Sequence, residues 1–482
     1  MPLNETGREK QEREVSGMRL KSSFDRTMLN AIFTLAWPTM LEQLTQTAVQ
    51  YIDTAMVGSL GTAATAAVGA TSTVNWMIGS IVSAAGVGFL AFIARQFGAG
   101  NPGRARQASA QACLVALVLG SLLTSATMAC AKQVPVWMQV DAGIRDLAAR
   151  YFMILYMPML FRTASILFGM VLRSAGDSRT PMRVGLVVNG LNVMLNFFLI
   201  YPARSVSVFG ITLRIPGAGL GVEGAALASA AAFVYGGIAL SLALWRHPAV
   251  SPRGRSFRPD SEVLRSCFRV ALPNLGQRLA TSLGYVVFAS MINSLGGIST
   301  AAHTIANTVE SLFYIPGWGM QTSAATLSGN AYGAKDHGRL RRLGSTVLPL
   351  EIALMILSGG LLFAFAEPLV RLFSRDESVV RLGTTVLRMV AVSEPFYGVP
   401  IVVEGLMQGV GKTVAPFVYN VIGMWAVRII GTFVCVRYLG LGLVAAWGCM
   451  ICHNLLLFAF FTWHYLSGRW DPFPRDEKSG AA

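Results

Sequence analysis

"FTLAWPTMLEQL" at residues 33–44 and, just beyond it, "TAVQYIDTAMVGSLG" at 47–61 form the stretch on which the fold turns. The second part sets one carboxylate, Asp53, among Ala, Val, Ile, Met, Thr and Gly. Apolar runs of this length recur along the whole chain, which has 482 residues, 53% of them hydrophobic and only 13% charged. A soluble domain carries about 25% charged residues. A helix needs about 20 apolar residues to cross a hydrocarbon core of about 30 Å. The runs near 31–57, 65–93, 109–131, 151–172, 184–201, 224–245, 270–292, 301–329, 345–366, 386–407, 416–436 and 442–466 predict twelve such crossings. The chain reads as an all-α polytopic membrane protein.

The first 30 residues are polar and mixed in charge, without the short apolar core of a signal peptide, and are expected to be a cytoplasmic tail. An even number of spans returns the C-terminus to the same side. On that assignment 26 of the 39 Lys and Arg fall in cytoplasmic loops and tails, and Arg162, Arg278 and Arg428 lie within spans. This asymmetry is the positive-inside rule. The net charge of +15 is therefore directed at anionic membrane lipid. No basic stripe with interleaved aromatics is left to suggest nucleic acid.

The opening stretch has an echo. "FTLAWPTMLEQL" (33–44) corresponds to "FRVALPNLGQRL" (268–279), an offset of 235. At the same offset "MVGSLGTAATAA" (56–67) meets "MINSLGGISTAA" (291–302), and "FGAGNPGRAR" (97–106) meets "YGAKDHGRLR" (332–341). Shared Pro, Gly and Arg positions in loops argue against mimicry by apolar composition. Six spans per half let both halves enter from the cytoplasm, so the symmetry axis is expected along the membrane normal. The plan is then two pseudo-symmetric six-helix bundles. A cytoplasmic N-terminal tail (1–30) leads into an N-lobe (31–245). A Pro- and Arg-rich cytoplasmic linker (246–266) joins it to a C-lobe (267–466), and a cytoplasmic tail (467–482) follows.

These paired modules resemble the MATE (multidrug and toxic compound extrusion) transporters: a Pro, an apolar-polar helix, "DTAMVGSLG", then a second helix ending "FGAG…RA". "AAHTIANTVESLFYIPGWGMQTSAATLSGNAYGA" is similarly like that family's second half, and the likeness covers residues 30–465. It implies a secondary antiporter of the cytoplasmic (inner) membrane that exports organic cations in exchange for H⁺ or Na⁺ by alternating access.

Gln43, Gln46, Gln50 and Asp53 fall on one helical stripe of the first span, at i, i+3, i+7 and i+10. Asn189, Asn192 and Asn196 form a second stripe on the fifth. An Asp at the centre of a membrane helix costs about 2.5–3.5 kcal/mol on insertion scales and faces protein or a water-filled cavity. One carboxylate with several amides suits a small oxygen-seeking cation such as Na⁺, or a proton. The competing reading is that Asn and Gln merely tie helices together. The resemblance implies an N-lobe ion site at the span-1 Asp, matched by Asp53, with span-5 positions matched by Asn192 and Asn196. In the DinF-like branch the second of these is Asp, so Asn196 removes a two-carboxylate site. The Glu and Asp that the NorM-like branch carries in spans 7 and 10 are replaced here by Thr281 and a residue near Tyr397.

The C-half instead adds Arg278, Glu310, Glu394, Glu404 and Arg428, whose counterparts at the repeat offset are uncharged. Glu404 paired with Arg278 or Arg428 would be a structural bridge. Glu310 has no obvious cationic neighbour in sequence and is a candidate for attracting a cationic substrate, and Tyr285 is among the aromatics that could stack on one. The substrate cavity is thus expected to use Glu310, Tyr285, Arg278 and Glu404. "CMICH" (449–453) fits a haem-attachment pattern but lies inside a span, and "GLMQGVGKT" falls one residue out of P-loop register. No catalytic constellation, metal-ligand cluster or cofactor site is expected beyond the coupling ion at Asp53, and a monomer is expected. Two alternatives stay open. A lipid or lipid-linked oligosaccharide flippase of related fold would gather the three intramembrane Arg in the cavity. A membrane enzyme acting on lipids would need an acid/base pair.

Overall fold

The computed structural model describes residues 26–208 and 211–473. The expected tails lie outside the described residues up to residue 25 and from residue 474 onward. Helices stand at all twelve expected positions. The N-half contains α1 (Arg26–Gly58), α2 (Thr62–Gly98), α3 (Pro102–Cys130), the short α4 (Val134–Trp137), α5 (Arg145–Tyr156), α6 (Met159–Ser174), α7 (Arg179–Leu199) and α8 (Gly221–Arg246). The C-half contains α9 (Ser261–Asn293), α10 (Gly297–Phe313), α11 (Ile315–Gly333), α12 (His337–Arg371), α13 (Glu377–Val410), α14 (Val414–Ile422), α15 (Ile430–Phe433) and α16 (Leu443–Leu466). The turns Gly423–Ile429 and Val434–Tyr438 flanking α15 are π-helical, so α14 to Tyr438 form one span.

Proline sets the breaks. Pro158 separates α5 from α6, which meet at 47°. Pro316 follows the break at Tyr314 between α10 and α11. A proline has no N–H to give the ladder and clashes with the carbonyl four residues back. Among the described residues eight helices are long and apolar enough to cross a membrane, or nine with the bent pair α5–α6. The expected spans outside that set are α1, α9 and α10–α11. Composition explains them: α1 carries Gln43, Gln46, Gln50 and Asp53, α9 carries Arg265, Arg269, Asn274 and Arg278, and α10 has only 17 residues.

The all-α expectation needs one correction. Between α7 and α8, β1 (Pro202–Val208) and β2 (Ile211–Ala218) pair antiparallel, with Val206 opposite Leu213 and a bulge near Pro202. The alternation in "SVSV" and "ITLRI" around Phe209–Gly210 is the period-2 signal of a hairpin.

One apolar core fills the N-half and includes Phe89, Phe152, Tyr156, Leu167 and Leu244. Two lie in the C-half, around Leu343, Val402 and Phe461, and around Val309, Leu387 and Trp447. Helix α1 belongs to both halves. Its first turns (Met28, Ile32, Leu35, Ala36) join the C-half core, while Val57 near its end joins the N-half core. Pro38 lies near the changeover.

The end of the bundle that carries the basic loops is closed by backbone contact. A Cβ at Gly98 would stand 1.9 Å from the Asn330 carbonyl oxygen, and one at Gly333 would stand 1.9 Å from the Arg95 carbonyl oxygen. Only glycine permits α2 and α11 to cross so closely. Residues after α16 pack against the same end. Trp470 stacks on Tyr465, Phe473 meets Tyr332 and His337, and His337 Nε2 lies 2.7 Å from Asp471 Oδ2. Lys412, the lysine of the P-loop-like motif, donates to the Arg469 and Asp471 carbonyls.

Candidate functional site

Asp53 lies on the last turns of α1, half-buried, and faces α7. Asn196 Nδ2 donates to Asp53 Oδ1 at 2.6 Å. Asn192, one turn earlier on α7, satisfies both its neighbours in one amide orientation. Its nitrogen then lies 2.9 and 3.0 Å from the two Asp53 oxygens, and its oxygen accepts from Ser229 Oγ at 3.0 Å. The i, i+4 spacing of the two Asn on a buried helix face aims both amides at one carboxylate. Two N–H donors converging on one carboxylate make charge-assisted bonds, the stronger kind. Ser229, on α8, orients the nearer amide, a role that its surroundings in "ALASAAAF" do not announce.

Gln46, Gln50 and Asn189 are not drawn into this group. Gln46 and Gln50 are exposed and Asn189 is half-buried, and none bonds to Asp53 among the described residues. They share its helix faces but look into open space.

Two further polar groups brace the N-half; sequence reading passed over Glu42 and named Arg162 without its partners. Glu42, one residue before the Gln stripe, accepts from Arg173 Nη2 at 2.5 Å, tying α1 to the end of α6. Arg162 donates to Asn75 Oδ1 at 2.6 Å, Tyr156 donates to the same oxygen at 3.2 Å, and the guanidinium lies 4.8 Å from the Phe233 ring centre.

The C-half gathers its charges differently. Glu404 on α13 accepts from Gln277 at 3.0 and 3.1 Å, from Gln408 at 2.9 Å and from Asn420 at 3.3 Å. The expected bridge to an arginine is absent from the ion pairs among the described residues. Arg278 Nε instead donates to Asn274 Oδ1 at 2.9 Å, close enough to Glu404 for its charge to be felt. Three amides, making four contacts, can satisfy this half-buried carboxylate without the guanidinium.

Glu310 is 2% exposed and accepts from Tyr314 on the next helical turn. The expectation that it lacks a cationic neighbour is corrected by the fold. Arg428, on the π-helical turn after α14, acts on it through space. Sequence separation hides that approach. Arg428 lies over the rings of Phe288 at 4.2 Å and Tyr285 at 4.8 Å, and Tyr285, 45% exposed, covers it on the open side. Glu394 on α13, 1% exposed, is electrostatically coupled to Glu310. The group is two carboxylates and one guanidinium, inside a shell of aromatic rings. Glu351 on α12, which sequence reading passed over, is also buried.

A family model described as MatE matches the chain twice, over residues 38–198 and 273–434. The matches begin 235 residues apart, the offset of the internal repeat. A probable multidrug resistance protein NorM of Thermotoga maritima is 28% identical over 441 residues, covering 91% of this chain and 92% of that protein. Another probable NorM, of Bradyrhizobium diazoefficiens, is 27% identical over 445 residues, covering 88% and 91%. Among solved structures, an outward-facing multidrug resistance MATE family transporter of the MOP superfamily superposes with a TM-score of 0.84. It is 22% identical, with coverage of 94% of this chain and 98% of that one. A MOP superfamily transporter from Pyrococcus furiosus gives 0.82 at 23%, covering 91% and 95%. At such identities the likeness is one of fold.

Proposed function

The chain belongs to the MatE family of multi-pass membrane transporters, and from that premise we propose that it exports small organic, mostly cationic drugs by antiport against H⁺ or Na⁺. The observation that carries this reading is the Asp53 site. A single carboxylate is held by two amides, on a helix that belongs to both halves of the molecule. Empty, Asp53 takes N–H donors from Asn192 and Asn196. When a cation or proton arrives, the same amides turn their oxygens toward it, so the site accepts either ion without a second carboxylate. Loading Asp53 changes the hold of α7 on the outer part of α1. The first turns of α1 are fixed in the C-half core, so that change reaches the seam between the halves.

On this reading the basic end is cytoplasmic and both termini lie there, by the positive-inside rule. Residues 31–245 and 267–466 work as two lobes of the inner membrane, and the glycine crossing of α2 with α11 closes the cytoplasmic face. Each charge moved down the membrane potential supplies about 2.3 kcal/mol per 100 mV. The C-half acids Glu310 and Glu404, with Tyr285 and Arg278, are the proposed attraction for a cationic substrate. A flippase is not favoured, because each intramembrane arginine is occupied separately: Arg162 by Asn75, Arg278 by Asn274 and Arg428 by its two rings.

The test is efflux of a fluorescent organic cation from proteoliposomes under an imposed H⁺ or Na⁺ gradient. Efflux that follows one gradient and vanishes in Asp53→Asn is the expected result, and the effective gradient names the ion. Equal efflux from both proteins would place coupling elsewhere.

A further inference from the structure

Glu351 has no part in the cycle just described, and unlike Glu394, the other buried acid whose oxygens lack partners among the described residues, it has no second carboxylate acting on it. It lies in α12 at 0% exposure, and neither carboxylate oxygen has a hydrogen-bond partner. No ion pair reaches it among the described residues. An ionised carboxylate without a partner is too costly to bury, so this slot holds the neutral acid. Even the neutral acid gives up its hydrogen bonds to water, a net loss. A leucine or methionine would fill the same space without that loss.

The walls of the slot are two glycines on neighbouring helices. A Cβ at Gly317 would stand 3.0 Å from Glu351 Oε1, and one at Gly398 would stand 3.2 Å from the same atom. Both glycines sit where their helices are weakest. Gly317 follows Pro316 in the first turn of α11, at the break from α10. Gly398 lies between Pro395 and Pro400 in α13, each of which removes a ladder bond. The start of α11 also turns the positive end of its dipole toward the slot. Met355 and Ile401 complete the apolar lining.

Titratable side chains on the elements packed against α12 include His303 and Glu310 on α10, Tyr314 at the helix break, Tyr332 on α11, and Glu394, Tyr397 and Glu404 on α13. Glu42 on α1 is held by Arg173. None of them bonds to Glu351.

We propose that Glu351 is a second proton-binding site, loaded when α11 and α13 close over it and unloaded to water when either helix bends away. On unloading, the O–H bond breaks, the proton passes to water entering between Gly317 and Gly398, and the carboxylate stays behind hydrated. On loading, the reverse transfer lets the glycine walls close. The C-half thereby gains a proton of its own, independent of Asp53. The proposal rests on the antiport reading only in adding this proton to the coupling ion.

Infrared difference spectra between acid and alkaline buffer test it on the full chain in lipid nanodiscs. The samples are Asp53→Asn and the double variant Asp53→Asn/Glu351→Gln. The expected result is a carboxylic-acid carbonyl band in the first that is lost on alkalinisation and missing from the second. Identical spectra would overturn the proposal. So would a Glu351 band that stays constant across the pH range in which transport runs. Should the Gln variant fail to fold, Glu351→Asp, which keeps an acid and displaces the band, makes the same assignment. The spectra do not depend on transport, so failure of the antiport reading would show in the efflux assay alone.

Discussion

The repeat offset that carries Asp53 to the second half ends on Phe288, and it carries Asn192 and Asn196 to Val427 and Gly431. The place that holds an acid with two amides in the N-half thus holds an aromatic ring in the C-half, with Arg428 lying over it. One site is anionic, half-buried and within reach of open space. The other sets one guanidinium near two buried acids, Glu310 and Glu394, whose counterparts at the repeat offset, Asn75 and Met159, are uncharged. Duplication preserved the frame of the helices and left the charge at equivalent positions free to invert. On the antiport reading the two lobes therefore need not act alike: Asp53 in the N-half exchanges the coupling ion, and the buried C-half acids serve substrate attraction and the second proton.

The harshest test of that division is Asp53→Asn, which should reduce gradient-driven efflux to the level of empty liposomes while leaving the thermal midpoint near wild type. Persisting efflux would hand coupling to the C-half. Next in size is the glycine crossing. Gly98→Ala and Gly333→Ala each set a methyl against a carbonyl oxygen, and overpacking of this kind costs about 1–3 kcal/mol. Both should raise the labelling of cysteines introduced at the basic end and slow transport to a similar degree. A response from only one would show that the two halves do not share the seam equally.

Arg428→Met should lower thermal stability by about 3–5 kcal/mol, because the buried Glu310 loses the guanidinium that acts on it. Adding Glu394→Gln should return part of it. If Arg428→Met leaves stability unchanged, the C-half cluster is wetter than its burial indicates. The smallest effect belongs to Ser229→Ala. It frees the Asn192 amide and should weaken ion binding by about 0.5–1.5 kcal/mol, at most about tenfold, read by isothermal titration.

The helices and their repeat were legible because membrane insertion writes itself into composition: a span must be long and apolar, and its flanking arginines mark a side. Asp53, Asn192 and Asn196 were legible because helical spacing alone puts each set on one face. Ser229 was not, since a serine in an Ala-rich helix looks like packing. Glu42 and Glu351 were passed over amid apolar runs whose overall character masked a single acid. The approach of Arg428 to Glu310 joins residues from distant parts of the chain, and no local pattern records it. The hairpin at Pro202–Ala218 was hidden for a different reason: a span-counting eye reads everything between spans as loop, even where Ser and Val alternate.

The crossing of α2 and α11 also carries a record of origin. Gly98 meets Asn330 while Gly333 meets Arg95, and each of these is the other's mate at the repeat offset. In an oligomer, a patch in which residue i touches residue j of the partner, and j touches i, is isologous, the mark of a twofold dimer. The seam inside this single chain has that form. Two copies of a six-helix unit lying side by side in the same orientation would make the same kind of contact.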